Sequence, residues 1–449
     1  MIRKSMTGGS PWKHILSFSF PILAGALLQQ LYNTADTIIV GNFVGENALA
    51  AVGTTNTLAF LFLSAAIGFS AGNGVLVSQH FGAGNEKMVR KNASTGILLL
   101  LGLGLLLSVT AILLTRWAYT HFVAVPPEIL EDTILYFQIY SAGLFFQFGY
   151  NILSAVLRAI GDSAATLYFL LIASVINVGF DLLFIAVFHW GVAGAAAATG
   201  IAQALSMAAA YYYMVRKYPV FRYRLKEFTW NNRIALDTLI MGFPITVQLM
   251  IVSLGLTMVQ RVVNSFGKVM TASFAVGQRI EMYLHLPCNA LQATLATYTG
   301  QNIGACRMDR VKKGAGQGVF ISLLLTAFIS FFVWFYAGEI IRMFGLSDQS
   351  ASLCIRHLKA VALTNVILSS YVPLIGVFQG AKHPVFAVFI AFGALAVRVI
   401  VTYWFKDGAF FGSSIVWWNS LFGFCTGCLI TWLFYLSGMW QKNCSVTGK

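Results

Sequence analysis

Two stretches of this chain, separated by half its length, read nearly the same. Residues 79–96 are QHFGAGNEKMVRKNASTG and residues 301–318 are QNIGACRMDRVKKGAGQG. At one constant offset seven columns are identical: Gln79/Gln301, Gly82/Gly304, Ala83/Ala305, Val89/Val311, Lys91/Lys313, Ala93/Ala315 and Gly96/Gly318. Phe20-Pro21-Ile22 pairs with Phe243-Pro244-Ile245, and Ala51-Val52-Gly53 with Ala275-Val276-Gly277, at nearly the same offset. The whole chain reads as a duplication. Both copies lie in apolar sequence, and a duplicated membrane chain folds most naturally as two related lobes around a central site.

Composition decides the membrane. Of 449 residues, 58% are hydrophobic and 10% charged, against roughly 25% charged in a soluble domain. Twelve apolar stretches stand out, near 15–40, 48–76, 93–115, 133–156, 164–188, 193–214, 235–262, 269–299, 314–337, 357–379, 384–405 and 413–436. Each is long enough to cross a hydrocarbon core of about 30 Å as a helix. The expected fold is an all-α integral membrane protein: twelve transmembrane helices in two pseudo-symmetric six-helix lobes, 1–222 and 223–449.

The net charge of +14 points to topology and not to nucleic acid. Arg3, Lys4, Lys13, Lys87, Arg90, Lys91, Arg158, the six basic residues from Arg216 to Arg233, Arg307, Arg310, Lys312, Lys313, Lys382, Lys442 and Lys449 fall on one side of the predicted spans. Only Arg116, Arg261, Lys268, Arg342, Arg356 and Lys406 fall on the other. The positive-inside rule then puts both termini in the cytoplasm, for a multi-pass protein of the bacterial cytoplasmic (inner) membrane. Six spans per half put the second half in the same orientation as the first, so the repeat is parallel.

Three acids sit away from loops: Asp36, Asp181 and Glu281. An acid at mid-membrane costs about 2.5–3.5 kcal/mol on insertion scales, and function is the usual reason to keep one. By helical rise, Asp36 in span 1 and Asp181 in span 5 reach similar depth. Asn177 is one turn before Asp181 on the same face, and Thr199 enters span 6 to a comparable depth. The four could converge in one pocket of the N-terminal lobe that takes up a proton or a small cation, Na⁺ at Asp36, Asn177 and Asp181 included. The second half repeats none of these acids: Asn177 aligns with Arg398, Asp181 with Thr402 and Asp36 with about Val259. There, Glu281 and Arg398 could pair, with His285 one turn from Glu281 and Arg279 on another face. Glu281, Arg398, Arg279, Met250, Met258, Phe145, Phe146 and Phe148 are candidates for a substrate cavity. Pro21 and Pro244, repeat mates, each remove a helix hydrogen bond and permit a bend.

Other chemistries find little support. The seven histidines form no pair at ligand spacing, Cys425 and Cys428 are a lone CxxC in an apolar span, and no GxxxxGK[ST] loop is present. A membrane-embedded enzyme and a chain-encoded ATP pump are therefore disfavoured, and neither a metal nor an organic cofactor is expected.

The set of motifs resembles the multidrug and toxic compound extrusion family, in particular its branch similar to DNA-damage-inducible protein F and staphylococcal MepA. The resemblance runs over nearly the whole chain. It rests on Pro21 followed by Asp36, VGTTN at 52–56, QHFGAG at 79–84, LRAIGDS at 157–163, Asn177 with Asp181, GAAAATG at 194–200, VGQRIEMYLHLP at 276–287 and QNIGA at 301–305. It implies a secondary active multidrug efflux antiporter, expelling amphipathic, often cationic drugs or toxic organic cations in exchange for H⁺ or Na⁺. The positions of Asp36, Asn177 and Asp181 would form its cation site, with Thr199 the associated hydroxyl. Some members carry a further acid within span 7, which this sequence lacks in the interior of that span. The alternative reading is a lipid-linked oligosaccharide flippase of the same superfamily, which would use Arg279, Lys359 and Arg398. The expected partners are the lipid bilayer and small molecules, with the chain itself a monomer.

Overall fold

The computed structural model describes residues 5–223, 228–408 and 411–441. Arg3, Lys4, Arg224, Lys226, Lys442 and Lys449, counted above in the charge asymmetry, lie outside the described residues. Twelve long helices follow one another: α1 (Pro11–Phe43), α2 (Glu46–Gly82), α3 (Glu86–Trp117), α4 (Pro127–Ala159), α5 (Ser163–Asp181), α6 (Gly191–Lys217), α7 (Asn232–Ser265), α8 (Lys268–Gly304), α9 (Met308–Arg342), α10 (Asp348–Gly380), α11 (Val385–Phe405) and α12 (Ile415–Leu436). No strand occurs among the described residues. Every expected span falls on one of these helices, and most helices run past the apolar stretch that predicts them. At 37 residues, α2 is about 55 Å long, so its ends stand outside the hydrocarbon.

Ten of the helices are long and apolar enough to cross a membrane on their own terms. The exceptions, α4 and α8, carry the most polar interiors. Gln138, Gln147 and Asn151 interrupt α4, and Gln278, Arg279, Glu281 and His285 interrupt α8. Such helices lower their cost by packing among other helices. Accordingly α8 packs on α9 and α10, and α4 on α2, α3 and α6.

By contacts the chain divides into two compact units. One holds Ala24–Thr246; the other holds Met6–Leu23 and everything from Val247 on. The division cuts through α1 and α7, in each case just after the repeat-mated proline, Pro21 or Pro244. A proline nitrogen cannot close the helical bond to the carbonyl four residues back, here Ser17 and Ile240.

In the first unit, close backbone approach fixes the start of α7. A Cβ on Gly68 of α2 would lie 2.1 Å from Thr246 Oγ1, and one on Gly72 would lie 2.6 Å from the Gly242 nitrogen. Small residues one turn apart let two membrane helices touch backbone to backbone. In the second unit, Gly376 and Gly380 of α10 do the same against α8: their Cβ positions lie 2.0 Å from the Gln292 carbonyl and 2.4 Å from the Ala296 carbonyl.

The duplicated segment has the same task in both units: it grips the chain entering a first helix. In the first unit, Ser94 and Thr95 hydroxyls donate to the Thr229 carbonyl at 3.2 and 3.1 Å, ahead of α7. In the second, Arg310 donates to the carbonyls of Met6, Gly8 and Gly9, Arg307 to that of Thr7, and Gln301 accepts from the Met6 nitrogen, all ahead of α1.

Candidate functional site

Asp36 comes from the C-terminal third of α1 and Asp181 from the last residue of α5 as an α-helix. Beyond Asp181 the chain passes into a π-helical turn, Leu182–Val187. Such turns are rare and occur often at functional sites. Asn177 lies one helical turn before Asp181, on the same face. Asp181 is fully buried, Asn177 is buried and Asp36 half-buried.

An apolar shell holds these side chains out of water. Ile39 and Val40 of α1, Tyr136 of α4, Ile185 of the π turn, and Val192, Ala195 and Ala196 of α6 form one packed cluster, with Tyr140 and Val178 against it. Val178 follows Asn177 directly, so the cluster wraps the pair.

Within that shell the acids have no ordinary partners. Both oxygens of Asp181, the Oδ1 of Asp36 and both polar atoms of Asn177 are buried without a hydrogen-bond partner. Buried polar groups are otherwise nearly always bonded. The two carboxyls are neighbours, close enough to bond when a proton lies between them. As carboxylates both are acceptors only, and they therefore leave each other unsatisfied.

The sequence did not single out the tyrosines around this pair. Tyr32 of α1 and Tyr136 of α4 lie within electrostatic reach of both Asp36 and Asp181. The rings of Tyr136 and Tyr140 stack at 6.3 Å, one turn apart on α4. Tyr32 is one turn before Asp36, which was a legible signal. Thr199 is half-buried and lines a small cavity with Tyr140, Gly143, Gln147, Gly200 and Gln203. Tyr140 donates from its hydroxyl to Gln147 Oε1 at 3.4 Å, so it joins that cavity to the tyrosines facing the acids.

The second-unit candidates separate. Glu281 has His285 Nε2 at 3.6 Å and His357 Nε2 at 3.8 Å. Among the described residues no ion pair joins Glu281 to Arg398; the Arg398 Nε donates to Asn419 Oδ1 instead. The pairing expected of Glu281 is thus with histidines, one of which, His357, the sequence reading left aside. Arg279 is exposed on α8, and Met250 is half-buried in α7. Phe148 is fully buried in the first unit's core, against Gly104 of α3, where a Cβ would lie 2.9 Å from the Phe148 Cβ. It packs helices together. Pro21 and Pro244 sit inside α1 and α7 as expected.

The family model MatE matches this chain twice, over residues 21–183 and 244–404. The chain belongs to the MatE family. The two matches begin at Pro21 and Pro244, the prolines that the internal repeat aligns. Among relatives of this MatE protein, the probable multidrug resistance protein YpnP of Bacillus subtilis (strain 168) is 28% identical over 83% of this chain and 81% of its own. The probable multidrug resistance protein NorM of Thermotoga maritima is 24% identical over 97% of this chain and 94% of its own. The fold is that of the crystal structure of MATE in complex with MaL6, at a TM-score of 0.91 and 22% identity, covering 97% of this chain and 98% of that one. This MatE chain is a multi-pass membrane transporter and not an enzyme.

Proposed function

We propose that this protein is a secondary multidrug efflux antiporter, exchanging external H⁺ or Na⁺ for amphipathic, often cationic compounds. Asp36 and Asp181, with Asn177, take the coupling ion. One observation carries the reading: at two adjacent carboxyls and an amide, both Asp181 oxygens, Asp36 Oδ1 and both Asn177 polar atoms are buried and unpaired. A group that must bind and release an ion cannot be permanently satisfied by neighbours, and this one is not. The multidrug names of its relatives support the substrate class.

The flippase reading needs several basic groups converging on a pyrophosphate. Here each is engaged separately or turned away. Lys359 lies over the Trp334 ring at 5.5 Å, Arg398 donates to Asn419, and Arg279 is exposed.

In use, substrate enters from the cytoplasm or inner leaflet, both termini face the cytoplasm, and the chain works in the bacterial inner membrane as a monomer. Cation uptake at Asp36 and Asp181 shifts α1 about Pro21. One proton moving inward gains about 2.3 kcal/mol per 100 mV, roughly a forty-fold concentration ratio for a neutral substrate. For a monovalent cation a one-for-one exchange cancels this electrical term, and exchange for two protons keeps it. The test is ethidium transport by protein in liposomes, under an imposed pH gradient and, separately, an imposed sodium gradient. Uphill transport driven by one of the two names the coupling ion. Downhill leakage only, under both, overturns the antiport reading.

A further inference from the structure

The second unit holds a buried titratable cluster that the coupling pair does not use. Glu281 on α8 is 5% exposed, and His357 on α10 is 1% exposed. His285, one turn beyond Glu281, is partly open, with its side chain 28% exposed. The two imidazoles approach different oxygens of one carboxylate, His285 to Oε1 and His357 to Oε2.

The site is built to hold His357 in place. Its ring stacks on Phe274 at 5.1 Å with 7° between planes, and on Trp417 at 6.0 Å with 20°. Its Nδ1 sits where Gly277 has no side chain: a Cβ there would lie 2.2 Å away. Phe274, Gly277 and Glu281 are spaced at i, i+3 and i+7, one face of α8. That Nδ1 is buried with no hydrogen-bond partner.

We propose that Glu281, His285 and His357 form a second proton-binding site, with His285 its entrance. The separations of 3.6 and 3.8 Å are too long for hydrogen bonds yet short for opposite charges. A proton taken onto either imidazole makes a cation facing the carboxylate, and the contact can close. Histidine is the side chain whose ordinary titration falls between pH 5 and 8.

The surroundings select a proton over larger ligands. Flat rings pack on both sides of His357, which leaves no room for an organic cation. Among the described residues no three acid, histidine or cysteine side chains converge as metal ligands.

Each neighbouring helix contributes a defined charge or none. From α11, Arg398 lies within electrostatic reach of Glu281 and His285, over the Phe424 ring at 6.0 Å. From α10, Tyr371 lies within reach of Arg398, and Lys359 lies over Trp334. On α8 itself, Arg279 is exposed. From α9, Val333 and Ala337 pack against the Ile280 and Leu284 side of α8. From α12 come Trp417, Asn419 and Phe424. Arg398 balances Glu281, so a proton on a histidine adds one net positive charge.

The test needs no transport. Full-length protein in lipid, carrying Asp36→Asn and Asp181→Asn to silence the first unit, is titrated from pH 8 to pH 5. Bound protons are counted directly and followed by infrared bands of carboxyl and imidazole. Adding His285→Gln with His357→Gln should lower uptake by about one proton per chain, the capacity of one imidazole. Glu281→Gln, which keeps the side-chain shape, should give the same loss. Should the double histidine variant fail to fold, Glu281→Gln alone decides, because it removes the charge that both imidazoles face. Unchanged uptake in these variants overturns the proposal. The coupling reading is tested apart from it, by whether Asp36→Asn and Asp181→Asn themselves remove protons from the wild-type count.

Discussion

The two units share a scaffold and differ in how they bury charge. In the first, Asp36 and Asp181 face each other as two acceptors, with Asn177 beside them and no donor engaged. In the second, the aligned positions are silent. Val259, the approximate mate of Asp36, is fully buried in an apolar cluster. Thr402, the mate of Asp181, donates to the Arg398 carbonyl at 2.7 Å. The second unit's acid has moved to α8, where Glu281 has a histidine facing each oxygen. An acid flanked by imidazoles can be balanced by a proton held on either ring; an acid flanked by another acid must share its proton or cation with that acid. The comparison teaches that the two halves keep the same helices while their buried charges differ.

Breaking that comparison begins at the acids. Asp36→Asn or Asp181→Asn should abolish uphill transport, a loss of the whole accumulation ratio. Glu281→Gln should leave a measurable gradient. Both are read as ethidium accumulation in vesicles. Equal, complete losses for all three would erase the distinction between the units.

A glycine pair sharpens it next. Gly277 and Gly53 are repeat mates, but only Gly277 has a histidine in its Cβ position; around Gly53 nothing lies within 4 Å. Gly277→Ala should destabilise the protein by about 1–3 kcal/mol through overpacking. Gly53→Ala should be neutral or stabilise by up to about 1 kcal/mol, since it removes a flexible residue from a helix. Thermal unfolding in detergent compares them, and equal shifts would count against the cradle.

The two grips on the entering chain come third. Arg310→Ala removes three charge-assisted bonds to Met6, Gly8 and Gly9 and should cost about 1.5–3 kcal/mol. In the first unit, Tyr223→Phe removes one neutral bond to the Arg90 carbonyl and should cost about 0.5–1.5 kcal/mol. Hydrogen exchange of the residues just before α1 and α7 reads each loss locally. The smallest effect belongs to the exposed Arg116–Glu131 pair, 62% and 70% open. Glu131→Gln should change stability by under about 1 kcal/mol, as a control in the same unfolding series.

Much of this was legible in one dimension. The repeat is visible because the turns after α2 and α8, and the helix starts that follow them, share seven residues at one offset. The twelve helices are visible because a span must be apolar over a continuous window. Asp36, Asn177 and Asp181 are visible because buried acids are costly and so seldom accidental. The neighbours of those acids are not. Tyr136, Tyr140 and Gln147 look like ordinary residues of α4 until that helix is placed beside α1 and α6. Nothing local in the sequence shows that Phe148 packs against Gly104 of α3.

His357 shows the boundary most plainly. It lies 76 positions from Glu281 in sequence, and nothing local marks it as a partner. Only the packing of α10 on α8 brings it over Gly277, between Phe274 and Trp417. The sequence determines which helices exist and which carry charge, because hydropathy and helical spacing are local properties. Tertiary structure decides which charges meet, because that depends on how close two backbones come, and a missing side chain on one helix sets that distance for a residue on another.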